Sequence, residues 1–570
     1  MITMTTIQHY LRQRADCDRP GLKAGDRVWT WREYVAESGR RANHVRSLLG
    51  PDRPAHVGLL MENTPEMAFA LASGALAGYV SAGINLTRRG PGLAQDIAKA
   101  DCQVLLTDSA QLPRLEGLDL TGVQVIDTDS ADWLGPVSAQ PAEVAQAREV
   151  AAEDPFMLIF TSGTSGAPKA VPVSNFMTVM SGENLARMFE LGPADTCYQA
   201  MPIFHSNAVL AGYTVAVCSA AALALAPRFS AHRFLADVRA YQATYMNYVG
   251  KPLAYILRTP RRPDDADNPL RVAFGNEGSD RDIAEFSARF GVRVWDGFGA
   301  TETAVIITRE EGTPPGSIGV PWAGVAIYDR QTRTECPPAV FDPAGRVTNL
   351  DDCVGELVNV QGAGFFPGYY NDEKATAERL DGGLYWSGDL AYRDDQGYIY
   401  LAGRTSDWLR VDGENLAAGI IEQILLRHPG LSQVAVYGVP DPDAGDQLVA
   451  AVVLKEPGRL DPAGLERFLA GQQDLSPKGW PRYLRIAASL PSTATNKVLK
   501  RELVRQGVDF TDPCWVRAER GTSYAVRDQI SSPDQISSPD QIHSPDQIQS
   551  SGYDQLNQGS GAASSGSVVL

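Results

Sequence analysis

Between about Thr30 and Gly299 the chain alternates two kinds of segment. Short apolar runs have the length and composition of buried strands: HVGLL from His56, VSAGI from Val80, QVLLT from Gln103, FMLIF from Phe156, TYMNYV from Thr244, RVAFG from Arg271 and VRVWDG from Val292. Between them lie segments with helical spacing: Pro65 to Ala77, Pro91 to Ala100, Asn175 to Phe189, Ala231 to Ala240 and Arg281 to Phe290. Apolar runs separated by amphipathic helices predict βαβ units, whose sheet is mostly parallel and covered on both faces. The expected fold class is therefore α/β, with a large N-terminal doubly wound domain. From Thr313 to Val360 the pattern changes to short strands broken by Gly and Pro, which predicts a small β subdomain on the same body. After Gly403 a smaller C-terminal α+β domain is expected, with helix Ala417 to Leu426, strands QVAVYGV and LVAAVVL, helix Pro462 to Leu469 and strand YLRIA. The expected boundaries are 1–403, 404–516 and a tail, 517–570. From Asp528 the tail repeats DQISSP with small changes, and one Ile per repeat cannot build a core, so disorder is expected there.

Composition narrows the function. Among 570 residues, 51 Lys+Arg stand against 68 Asp+Glu, a net charge of −17. Duplex affinity rests on clustered cations that release counterions, so a nucleic-acid partner is not expected. Seven cysteines without a CxxC spacing give neither a zinc motif nor a disulfide framework, and the odd count fits a reducing cytoplasm. The N-terminus lacks the apolar core of a signal peptide. Met67 to Leu86 and Ala208 to Pro227 each run 20 residues without a charge, but Ala, Gly, Ser and Thr dominate them. They read as buried helix-then-strand pairs and no transmembrane segment is expected.

Four segments carry candidate chemistry. In LIFTSGTSGAPKAV a strand opens into Thr161, Ser162, Gly163, Thr164, Ser165, Gly166, Ala167, Pro168 and Lys169. Glycines let successive N–H groups converge on an anion, and hydroxyls and an ammonium add donors, so the loop suits a phosphate. It is not a Walker A loop, which ends Gly-Lys-Ser/Thr; taken alone it also reads as a plain turn. Its place after a buried strand favours the phosphate, because ligands of open α/β sheets bind beyond the carboxyl ends of strands. In VWDGFGATETAVI, Glu302 stands where a dinucleotide fingerprint needs its third Gly; a carboxylate there suits a hard cation such as Mg²⁺, or simply a helix start. In the third segment, Leu384 to Leu425, Asp389 sits in a Ser-Gly-Asp turn and Arg404 at the start of the second domain; a carboxylate offers two acceptors to ribose hydroxyls and an Arg a fork of donors. Turn Asp and surface ion pair are the plainer alternatives. The fourth, LPSTATNKVLKREL, presents Lys497 in a polar loop, where a lone Lys is ordinarily a solvated charge.

Taken in order, these segments resemble the adenylate-forming superfamily of acyl-CoA synthetases, adenylation domains and luciferases. TSGTSGAPK is similar to its [ST]-S-G-[ST]-[ST]-G-x-P-K signature, GFGATE to its Y-G-x-T-E motif, SGD to its ribose motif, GRTSDWLRVDGEN to its hinge and thiol-binding motif, and PSTATNK to its catalytic-lysine motif. The resemblance spans about Thr30 to Leu503. The flanks MPIFHSNAVLAG, VAFGNEGSD and LRVDGENLAAG look most like long-chain and very-long-chain fatty acid-CoA ligases, including types that activate lipid or steroid side-chain acids. The run Ile203 to Ala208 has no carboxylate to hold an α-ammonium, so an amino acid substrate is not expected. Three positions depart from the pattern: Asn496 where Gly usually precedes the lysine, Ser406 where the hinge has Asp or Lys, and Phe298 in place of the motif's Tyr.

The resemblance implies ATP, Mg²⁺ and CoA as cofactors and co-substrates, and a mobile C-terminal domain turning about Ser406. It implies Lys497 at the carboxylate and α-phosphate, Thr161 to Lys169 at the β/γ end, and Mg²⁺ near Thr164 and Glu302. Asp389 and Arg404 would take the ribose, with Gly275, Asn276 and Glu277 at the adenine and acyl side. Thr301 and His205 stand beside the reacting groups, and Gly413, Glu414 and Asn415 meet the CoA thiol. The expected reaction turns a lipid carboxylic acid into acyl-AMP and then acyl-CoA; an acyl-AMP ligase serving a carrier protein and a silent nucleotide-binding scaffold are the alternatives. Lipid acids are compatible with peripheral membrane association, and the family with a homodimer.

Overall fold

The structure, a computed structural model, describes residues 5–527 apart from 146, 162–167, 310–311, 344–346, 405–407, 412–413, 442–444, 457–459, 473–474, 476, 493–497 and 518–520. The repeats expected to be disordered lie outside these described residues.

Two sheets make the body. One has six strands in the order Gln124–Asp127, Val104–Thr107, His56–Leu60, Val80–Gly83, Pro155–Thr161, Lys169–Ser174, all parallel until the last, which returns antiparallel. The other has seven, in the order Arg293–Gly297, Val272–Asn276, Tyr245–Val249, Thr196–Gln199, Ala222–Leu225, Pro20–Ala24, Arg27–Thr30, again parallel but for the final hairpin. Val57, Val104 and Met157 of the first sheet and Leu22, Leu223 and Tyr245 of the second belong to one hydrophobic core.

The helix Pro65–Ala77 shows how sequence places these layers. Thr64 caps it by accepting from Met67 N, Pro65 occupies its first turn, and Gly78 ends it at φ 81°. Every residue from Met67 to Ala77 is buried, as a helix apolar on all sides must be. It runs directly into Val80–Gly83, and the helical segments Ser206–Ser219 run into Ala222–Leu225, so both charge-free stretches are helix-then-strand pairs. No helix among the described residues is long and apolar enough to cross a membrane.

The β subdomain is larger than expected. Its antiparallel sheet joins Val325–Tyr328, Gly355–Asn359, Leu380–Asp381, Leu384–Arg393 and Ile399–Arg404, so it extends to Arg404 instead of ending at Val360. Its later strands carry Asp, Arg and Gly at bulges, which breaks the alternation by which strands are read. The C-terminal strands from Trp408 to Val526 form a separate mixed sheet, with its own core of Ile421, Leu425, Val436, Ala450, Leu465 and Leu484. Tyr524–Val526 pairs with Cys514–Arg517, so this domain runs past 516 and the expected tail does not begin at 517.

Candidate functional site

The loop 162–168 is bounded by a pair of facing residues. Thr161 ends one strand, Lys169 begins the next, and the two are register partners; the Thr161 hydroxyl donates to Lys169 O at 3.5 Å. Ser162, Gly163, Thr164, Ser165 and Gly166 lie outside the described residues. Lys99 fixes the loop's far end, donating to Pro168 O at 3.3 Å while pairing with Asp372 at 2.6 Å. Lys169 is no solvated charge: it is 5% exposed, its ammonium lies 5.0 Å from the centre of the Tyr369 ring, and its nearest carboxylate is Glu378 at 3.8 Å.

Glu302 comes to the same ring. Its Oε1 accepts from the Tyr369 hydroxyl at 2.7 Å, and the side chain is buried. Burial, together with the charge of Glu302, pushes the Tyr369 phenol up, so it stays a donor. Arg379, at the end of helix Glu373–Arg379, interacts with Tyr369, Tyr385 and Glu302. A buried ammonium and a buried carboxylate thus meet at one phenol. Among the described residues no group of three His, Cys, Asp or Glu can hold a metal by itself. A magnesium site made of one carboxylate and a nucleotide's own phosphates is what such a donor set fits.

Thr301 donates to the Ser206 hydroxyl at 2.9 Å, tying the Glu302 turn to the helical segment behind His205. His205 is half-buried, with its ring 4.4 Å from that of Phe204 and its Nε2 shielded from solvent. Burial pushes its pKa down to about 4, so it is a neutral imidazole, and its Nε2 has no hydrogen-bond partner among the described residues.

The parallel strands Tyr245–Val249, Val272–Asn276 and Arg293–Gly297 end side by side. A Cβ at Gly275 would meet Tyr248 O at 2.4 Å, so only glycine fits. Asn276 donates to Gly297 O at 2.7 Å and accepts from Asn207 at 3.2 Å; Asn207 in turn donates to Tyr248 O at 3.0 Å and accepts from Asn247 at 2.8 Å. Glu277 follows at φ 66°, a left-handed backbone that turns the chain out of the sheet. Asp296 then secures the loop: one oxygen accepts from Gly278 N and from the Tyr248 hydroxyl, each at 2.7 Å.

Asp389 lies within the strand Leu384–Arg393 and not in a free turn. The appearance of a turn comes from Gly388 at φ 79°, beside a register shift in the pairing with Ile399–Arg404. Asp389 is buried and is the register partner of Arg404. The Ser387 hydroxyl accepts from Asp389 N at 3.0 Å, and Glu356 accepts from Gly388 N at 2.7 Å, so the segment is held from both sides. The side chains of Arg404, Glu414 and Asn415, and the whole of Ser406, Gly413 and Lys497, lie outside the described residues. Sequence reasoning misses Tyr369, Arg379, Asp296, Tyr248 and Asn207. Apart from the motif-like GYYND at Tyr369, these read as core or surface positions until the fold brings them together.

Two mostly parallel sheets that share one core, followed by a smaller C-terminal domain, are the fold of an adenylate-forming enzyme. The chain belongs to the AMP-binding enzyme family: residues 11–370 match its main model, and residues 420–497 match the AMP-binding enzyme C-terminal domain. It is 48% identical over 515 residues to the medium/long-chain-fatty-acid–CoA ligase FadD17 of Mycobacterium tuberculosis, covering 90% of this chain and 99% of that one. It is 43% identical over 526 residues to the steroid-22-oyl-CoA synthetase of Rhodococcus jostii, covering 91% of this chain and 94% of the relative. Among solved structures, ATP-bound MatB of Rhodopseudomonas palustris superposes with a TM-score of 0.77 at 22% identity, over 88% of this chain and 99% of that one, a likeness of fold. O-succinylbenzoate coenzyme A synthetase of Bacillus subtilis, with ATP and magnesium ion, gives 0.71 at 25% identity, over 87% and 98%.

Proposed function

We propose that this chain activates a fatty or other lipid carboxylic acid, steroid side-chain acids included, to acyl-AMP with ATP and then transfers the acyl group to CoA, releasing pyrophosphate and AMP. The observation that carries the reading is the meeting of Lys169 and Glu302 at Tyr369, because it sets a phosphate cation beside a metal carboxylate at the mouth of the loop. The names of the mycobacterial and rhodococcal relatives support a lipid acid as substrate and CoA as acceptor.

In the first half-reaction a carboxylate attacks the α-phosphorus of ATP. Two anions must meet, so the protein's task is charge neutralisation and in-line placement. Lys169 and the 161–169 loop bind the β/γ end. Asp389 accepts from the ribose hydroxyls, with Arg404 beside it, while Gly275, Asn276 and Glu277 border the adenine. Glu302, with Thr164, would hold Mg²⁺, whose positive charge would offset that of the phosphates. Lys497 contacts the incoming carboxylate and the α-phosphate. In the second half the CoA thiolate attacks the mixed anhydride and AMP leaves, with Gly413, Glu414 and Asn415 at the thiol. His205, neutral and half-buried, borders the acyl side without serving as a proton reservoir near pH 7. The body 1–403 and a C-terminal lid from 404, whose sheet reaches Val526, turning near Ser406, are the units that alternate between the two halves.

A panel of medium-chain, long-chain and steroid side-chain acids, incubated with ATP, Mg²⁺ and CoA and read by thioester mass, tests this function. The expected product is an acyl-CoA with one AMP per turnover. Acyl transfer to a carrier protein without acyl-CoA, or no adenylation of any acid, would overturn it.

A further inference from the structure

Arg379 stands between the two ends of the nucleotide site. Its Nη1 donates to Trp386 O at 3.1 Å. The guanidinium also lies against Gly388, where a Cβ would meet Nη1 at 2.5 Å and Cζ at 3.3 Å. It therefore braces the segment that presents Asp389 from below. The same guanidinium also interacts electrostatically with Tyr369 and Glu302. Tyr369 is in turn the residue on which Lys169 and Glu302 converge. The helix that carries Arg379 is capped by Asp372, which accepts from Ala375 N at 3.1 Å and pairs with Lys99 at the edge of the phosphate loop. An arginine can donate to a carbonyl while its remaining charge faces a phenol and a carboxylate, because its donors lie in a rigid planar fork that a lysine lacks.

We propose that Arg379 is a positioning residue that locks the Trp386–Asp389 segment to the Tyr369–Glu302 pair, so that the ribose carboxylate and the magnesium carboxylate are held as one rigid unit. The inference rests on the adenylation reading of the site. It assigns Arg379 no contact with the nucleotide. Its loss loosens ribose recognition even for a ligand without phosphates, and at the same time weakens the gain that Mg²⁺ gives to ATP binding.

Calorimetric titration of adenosine, and of ATP with and without Mg²⁺, into the full chain tests this. Arg379→Gln is expected to weaken both adenosine and ATP by about tenfold, the scale of one charge-assisted hydrogen bond, and to remove most of the Mg²⁺-dependent gain. Arg379→Lys is expected to recover little of either. Tyr369→Phe, which keeps the Arg379 donation to Trp386 O, is expected to lose the Mg²⁺-dependent gain and to weaken adenosine less than Arg379→Gln does. If Arg379→Gln weakened ATP but left adenosine untouched, the guanidinium would be a direct phosphate contact and the inference would be wrong. Unchanged binding with lowered thermal stability would make it a structural residue only, which is equally against the inference. Where the Gln variant fails to fold, the Lys variant carries the same comparison. A wild-type chain that binds neither adenosine nor ATP would overturn the adenylation reading; one that binds both, with variants indistinguishable from it, overturns this inference alone.

Discussion

The hydroxyl of Tyr248 donates to Asp296 Oδ2 at 2.7 Å, across the sheet whose strand ends carry Gly275 to Glu277. The same oxygen takes the Gly278 amide, so one buried carboxylate holds the loop that follows Asn276. Burial is the larger influence and raises the Asp296 pKa to about 6 in spite of both donors. The folded chain therefore binds this proton more tightly than the unfolded chain does. Stability from this group is fully present below the ordinary carboxyl range and is lost as pH rises through about 6. Relative to wild type, Asp296→Asn should gain stability between about pH 4 and about pH 7, by roughly 1–3 kcal/mol, since a tenfold difference in proton affinity between the folded and unfolded chain is worth about 1.4 kcal/mol. Urea unfolding of both proteins at the two pH values measures this; parallel pH dependence would show that the carboxylate is not buried at this cost.

Gly275 makes a second, steric prediction. Ala at this position would place a methyl 2.4 Å from Tyr248 O and 2.6 Å from its ring, and the carbonyl belongs to a paired strand that cannot retreat. Gly275→Ala should cost about 1–3 kcal/mol of stability, the usual penalty for overpacking, and raise the KM for ATP more than the KM for the acid. Equal rises in both would place this strand end away from the nucleotide.

Much of this is legible in the sequence, and the reasons differ from residue to residue. Lys169 is singled out because Gly, hydroxyls and an ammonium follow a buried strand, and Glu302 because a carboxylate stands where a dinucleotide fingerprint needs Gly. Each has a plainer local reading, and their meeting at Tyr369 is visible only in the fold. The helix Pro65–Ala77 is readable to the residue, since Thr, Pro and Gly mark its ends. Asp389 reads as a turn residue because Ser-Gly-Asp is turn chemistry; a single positive φ at Gly388 gives the same letters within a strand. Tyr369 and Arg379 take no role from periodicity, because their meaning is a distance to Glu302 and to Trp386, and only the folded sheet brings these together.

Glu302 should separate metal dependence from nucleotide affinity. Its carboxylate is buried and has the Tyr369 hydroxyl as a neutral donor, so Glu302→Gln keeps the volume and removes the charge that a divalent cation needs. The first half-reaction is expected to fall about 10²–10³-fold, with a higher Mg²⁺ requirement, while ATP binding without metal changes little. Pyrophosphate exchange against Mg²⁺ concentration reads the first, and calorimetry in EDTA the second. Loss of metal-free ATP binding would mean that Glu302 shapes the pocket instead of serving the metal.

Lys497 tests the division of labour between the two halves. If its ammonium neutralises charge where carboxylate and α-phosphate meet, Lys497→Ala should slow acyl-AMP formation about 10²–10³-fold, as the loss of one preorganised electrostatic group does. The thioester step starts from the finished anhydride and forms no bond to phosphorus, so the variant should convert synthetic acyl-AMP and CoA at close to the wild-type rate. Measuring the two steps separately is decisive, because a folding defect would depress both. The neighbouring Asn496, where Gly usually stands, gives an internal comparison: Asn496→Gly should leave the thioester step unchanged and alter adenylation by less than about tenfold, since it changes the loop's path and not its charge. Equal loss of both steps in Lys497→Ala would remove this lysine from the adenylation site.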